Sequence, residues 1–147
     1  MVYRLYVETV KSNDKICWAF TFYNHQDFLV YKRAGISSSS SEEAVILEQA
    51  GVALAYFEQS MRRRYYDEHF STRIDEDYVT MYTELSDIKS VASTVKSGNA
   101  ASVGFIENNE AWQKLLPFFT QKTMSFEIAT DEKFITAAKE LAKTQLK

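Results

Sequence analysis

The chain has 147 residues, of which 46% are hydrophobic and 25% charged, and it holds 10 Phe, 9 Tyr and 2 Trp. That balance excludes a disordered polypeptide and leads us to expect one domain, residues 1–147, with apolar mass enough for its own core. A net charge of −3 excludes a uniformly basic nucleic-acid coat, one cysteine excludes a disulfide framework, and two distant histidines, His25 and His69, exclude a local zinc spacing.

Val2 to Val10 (VYRLYVETV) is rich in Val, Leu and Tyr and reads as a buried strand. A polar turn, 11–15, has Asn13 and Asp14 at its centre and leads into a second strand, Ile16 to Tyr23 (ICWAFTFY). A polar turn at 24–27 precedes a third strand, Phe28 to Arg33 (FLVYKR). Three short strands with tight polar connections predict an antiparallel meander.

Gly35, Ile36 and the five serines Ser37 to Ser41 read as a loop. Glu42 and Glu43 follow at once, and serine before first-turn carboxylates starts a helix, because both meet free backbone N–H groups. Leu47, Ala50, Leu54, Phe57 and Met61 then fall at three-and-four spacing, one apolar stripe on a helix ending near Arg62 to Arg64. Residues 65–78 are polar and mixed, and predict a long loop.

Tyr78 to Thr83 (YVTMYT) is a fourth strand, and 86–96 a short helix with Ser86 as its cap. The 97–100 segment breaks it. A helix over 108–119 should be stopped or kinked by Pro117. Met124 to Ile128 (MSFEI) is a fifth strand, and Thr130 caps a last helix running to about Gln145. The order βββαβα(α)βα predicts an α/β fold with a mixed sheet and helices packed on it.

Five short segments stand in a telling order: Tyr6-Val7-Glu8-Thr9, Ser39-Ser40-Ser41-Glu42-Glu43, Tyr82-Thr83-Glu84-Leu85, Ala111-Trp112-Gln113-Lys114-Leu115 and Glu140-Leu141-Ala142-Lys143. In this order they resemble the ribonuclease H type I family across nearly the whole chain. The resemblance implies a five-stranded mixed sheet with helices on both faces. It also implies a carboxylate cluster that clamps two Mg²⁺ ions on a phosphodiester. Glu8 and Glu84 stand at the family's strand carboxylates and would be the metal ligands. Glu43 stands at its helix carboxylate, with Glu42 and Glu48 as alternatives in shifted registers.

The chain departs from that pattern. The family has aspartate where Glu8 and Glu84 stand. A glutamate sets its carboxylate roughly 1–1.5 Å farther out, against a ligand-distance tolerance of about 0.2 Å. Where the last helix should bring a carboxylate, the chain has Lys139, and residues 128–131 lack the family's histidine. An ammonium there removes a ligand and repels Mg²⁺, or else pairs with Glu8 or Glu84. The expectation is therefore a non-catalytic binding module that needs no cofactor. The alternative is an active Mg- or Mn-dependent ribonuclease H that cuts RNA in RNA/DNA hybrids with Glu8, Glu43 and Glu84, aided by Asp87 or Asp131.

Each of these residues also has a plainer reading. Glu42, Glu43 and Asp87 suit first helical turns. Arg62, Arg63, Arg64 and Tyr65 could hold phosphates and stack on bases, or could be a solvated helix end blunted by Asp67 and Glu68. Cys17, between apolar strand residues, reads as core. The acidic balance favours a protein partner over nucleic acid. No apolar run approaches the ~20 residues that span a bilayer, and the N-terminus lacks signal-peptide order, so a cytoplasmic protein is expected.

Overall fold

The computed structural model describes residues 1–62, 77–98 and 109–146. Strands β1 (Val2–Ser12), β2 (Lys15–Tyr23) and β3 (Leu29–Ser37) form the antiparallel meander. Asn13, at φ 55°, supplies the left-handed backbone that the tight β1–β2 connection needs. The next turn is closed by the Asn24 side chain, which accepts from the Gln26 and Phe28 N–H groups at 2.9 and 3.0 Å.

Helix α1 (Glu42–Tyr56) follows and widens into a π-helical stretch, Phe57–Arg62. Ser41 caps it, its hydroxyl accepting from the Ala44 N–H at 3.2 Å. Then come β4 (Tyr78–Thr83), α2 (Asp87–Lys96), α3 (Asn109–Phe119), β5 (Met124–Ile128) and α4 (Glu132–Lys143) with a 3₁₀ turn, Thr144–Leu146. The sheet order is β3-β2-β1-β4-β5, with β4 parallel to both β1 and β5. The sheet is thus mixed and five-stranded.

Strand alternation sends successive β1 residues to opposite faces. Leu5 and Val7 join Phe20, Phe22, Leu47, Leu54 and Trp112 in the main core. Tyr6 turns the other way and packs with Phe134, Ile135 and Ala138 of α4. Helices therefore cover both faces. Cys17 is fully buried beside Ala142 of α4. The stripe Leu47, Ala50, Leu54, Phe57, Met61 is buried as its spacing predicts.

Four local expectations need correction. β3 runs on to Ser37, through residues read as loop. The reason is Trp18, which pairs with Gly35 across the ladder and leaves no room for a side chain there: a Cβ would sit 2.5 Å from Trp18 Cζ2. Glycine here is a close approach, not a break. The cap of α4 is Asp131, accepting from the Lys133 N–H at 3.1 Å, and not Thr130. Ser86 makes no side-chain cap bond to α2. Pro117 does not stop helix α3, which runs to Phe119, because Leu115 and Phe119, one turn apart and both fully buried, hold that turn against the core.

Candidate carboxylate cleft

The paired residues of β1 and β4 run up to Tyr6 opposite Tyr82. Two residues further along, Glu8, in the middle of β1, comes abreast of Glu84, just past the end of β4. Glu8 shares the face of Tyr6 and so turns toward α4, where Lys139 follows the packed Ala138. Thr9 turns the other way, toward the start of α1. The result is a cleft of about 350 Å³ walled by Glu8, Thr9, Glu42, Glu43, Glu84 and Lys139.

Each of its ionisable side chains meets at least one partner, although one Glu8 oxygen does not. Lys139 Nζ lies 2.6 Å from Glu84 Oε1. The hydrogen bond and charge of Lys139 hold the Glu84 carboxyl below its usual range, and the same bond raises the Lys139 ammonium. Glu8 is 1% exposed. Burial, then its hydrogen bond to Glu84 and the Glu84 charge, push its carboxyl up to about 9, with Lys139 opposing. Glu8 is therefore a neutral acid donating to an ionised Glu84. Glu8 Oε2 has no hydrogen-bond partner among the described residues. Thr9 Oγ1 donates to Glu42 Oε1 at 3.1 Å, and the buried Trp112 indole N–H donates to Glu43 Oε1 at 3.1 Å.

Sequence reasoning placed Glu8, Glu43, Glu84 and Lys139 together, and the structure gathers all four on one cleft. It also brings Glu42 there and leaves Glu48 away from it, on an exposed part of α1 facing Lys114 and Phe118 across another groove. Asp87 and Asp131 do not line the cleft; they serve the first turn of α2 and the cap of α4. Arg62 ends the π-helical stretch, and Arg63, Arg64 and Tyr65 lie outside the described residues. Two contributors were missed. Thr9 was legible from alternation alone, one residue past Glu8. The Trp112 bond to Glu43 spans 69 residues and leaves no local signal.

The resemblance implies Mg²⁺, which needs several open oxygen ligands. Here Glu84 is held by the Lys139 ammonium, and Glu42 and Glu43 each already accept a hydrogen bond. Among the described residues no three acidic, histidine or cysteine groups converge to hold a metal ion. The donor set does not fit a divalent pair.

No family model and no curated protein sequence matches the chain. Solved structures do. LC11-RNase H1 in complex with an RNA/DNA hybrid matches with a TM-score of 0.68 at 11% identity, over 99% of each chain. RNase H1 from the halophilic archaeon Halobacterium salinarum NRC-1 matches with a TM-score of 0.62 at 9% identity, over 99% of this chain and 98% of that one. The foamy viral protease-reverse transcriptase in complex with dsDNA matches with a TM-score of 0.64 at 9% identity, over 98% and 92%. The chain thus has the ribonuclease H-like fold, the class that the element order and sheet topology define. Among the described residues no helix is long and apolar enough to cross a membrane.

Proposed function

We propose that this ribonuclease H-like domain works by binding and does not hydrolyse phosphodiesters. One observation carries the reading: the Lys139 ammonium, 2.6 Å from Glu84, stands among the carboxyl groups that the resemblance assigns to metal. A resident cation there competes with any divalent ion for Glu84 and repels it. The neutral Glu8 offers a weaker ligand than a carboxylate.

The cleft favours a protein partner. Glu42, Glu43 and Glu84 outnumber the one ammonium, and without a divalent ion an acidic wall repels a phosphate backbone. A second reading, a nuclease with an altered ligand set, draws on one feature. Glu8 on β1 and Glu84 just past the parallel β4 still stand side by side, and matching structures hold an RNA/DNA hybrid or dsDNA.

The test is a labelled RNA strand in an RNA/DNA hybrid, incubated with the protein in Mg²⁺ and then Mn²⁺, beside the double variant Glu8→Ala, Glu84→Ala. The expected result is no cleavage above the variant's level in either metal. Cleavage that disappears in the variant would overturn the reading. A mobility shift of the same hybrid, run without metal, separates a nucleic-acid partner from a protein one.

A further inference from the structure

We infer that the outer edge of β3 is a docking edge for an extended, acidic segment of a partner protein, which would add to the sheet as a further strand. β3 is the last strand on its side of the sheet, and no strand pairs with its outer edge among the described residues. Edge strands offer a row of backbone donors and acceptors to an incoming chain. Consecutive exposed apolar residues lead into this one. Phe28 is 64% exposed, and Leu29 and Val30 after it are exposed too, as is Ile36 near the far end. Single exposed apolar residues are ordinary, but a run of them on a sheet edge is not.

The charge pattern identifies the occupant. β2 and β3 together carry Lys15, Lys32 and Arg33 and no acidic residue, in a chain whose net charge is −3. Of the acids in the flanking turns, Asp27 is engaged by Arg4. Lys32 and Arg33 are both exposed. A second copy of this chain, added antiparallel about a two-fold axis through mid-strand, would set Arg33 opposite its own copy, and like charges directly opposite destabilise a ladder. A nucleic acid fits poorly, because consecutive strand residues point to opposite faces and give no continuous basic surface. A strand alternating acidic and apolar residues fits both features. Its backbone would take the free edge, its carboxylates would reach Lys32 or Arg33, and its apolar side chains would cover Leu29, Val30 or Ile36. No β3 residue lines the carboxylate cleft, so this inference stands whether or not the cleft is catalytic.

The test titrates the full chain, labelled with ¹⁵N, with three synthetic peptides of nine residues, the length of β3. One alternates Glu and Val. The second has Lys for each Glu. The third keeps every Glu and Val but is N-methylated at every backbone nitrogen, which preserves charge and side chains and removes the backbone donors. Saturable binding of the first peptide is expected, with amide shifts concentrated in 29–37. Its affinity should exceed that of the Lys peptide by about tenfold or more, and should fall by about tenfold in a Lys32→Glu, Arg33→Glu variant of unchanged circular dichroism. Equal binding of the N-methylated peptide, shifts centred outside β3, or no saturable binding up to about 1 mM would each overturn the inference.

Discussion

Lys139 Nζ and Glu84 Oε1 meet at 2.6 Å, at the mouth of a cleft where Glu84 also accepts the proton held by the buried Glu8. One ammonium and one neutral acid therefore stabilise a single carboxylate. The arrangement sets a lysine among carboxyl groups and leaves Glu8 Oε2 without a hydrogen-bond partner among the described residues.

Removing the ammonium tests that arrangement. Both partners are more than a third exposed, so solvent screens the pair and Lys139→Met should cost only about 0.5–1 kcal/mol of stability. The informative response is to cations. Mn²⁺ should raise the melting temperature of Lys139→Met, where Glu84 is free, and leave the parent chain unchanged. An equal shift in both would show that Lys139 does not guard the cleft.

Glu8 sets a pH dependence with a definite sign. Its carboxyl titrates at about 9 in the folded chain, against an ordinary 4.5. Between those values the folded chain holds one proton more than the unfolded chain. The stability from this group is thus complete below about pH 4.5 and is lost as pH rises toward about 9, with a slope of at most about 1.4 kcal/mol per unit. Glu84, shifted down, acts at the acid end instead: its contribution is lost as pH falls through its lowered value. Lys139, shifted up, loses its contribution only as pH rises through its raised value. Urea unfolding at about pH 6 and about pH 8.5 should show the parent weakening and Glu8→Gln, a permanent neutral mimic, changing far less.

Trp112 ties α3 to α1 through its indole bond to Glu43. Trp112→Phe removes that donor and leaves a void in a fully buried site, at a cost of about 2–3 kcal/mol. Glu43→Gln keeps an acceptor in place and should cost under about 1 kcal/mol. Chemical denaturation of both variants measures the difference.

Gly35→Ala should destabilise by about 1–3 kcal/mol, because the new methyl would meet the Trp18 ring. Thermal unfolding gives the loss. A changed Trp18 fluorescence would locate it on the indole.

Much of this architecture is written locally. The polar turns at Asn13 and Asn24 separate the first three strands, and the serine-to-glutamate step marks the start of α1. The pairing of Glu8 with Glu84 was legible only through the resemblance, since strand order is a long-range property. What was misread was also long-range. Gly35 and the serines after it look like loop until Trp18 is seen lying on the glycine. Pro117 looks like a stop until Leu115 and Phe119 are seen anchored on either side of it. The neutral state of Glu8 comes from burial and from Glu84, neither visible in the local sequence.

The most direct measurement is a calorimetric titration of the full chain with Mn²⁺ at neutral pH, beside the Glu8→Ala, Glu84→Ala variant. The expected result is no saturable binding below about 1 mM that the variant lacks. Two ions bound more tightly than that, and lost in the variant, would contradict the view that Lys139 and the proton on Glu8 have closed this cleft to metal.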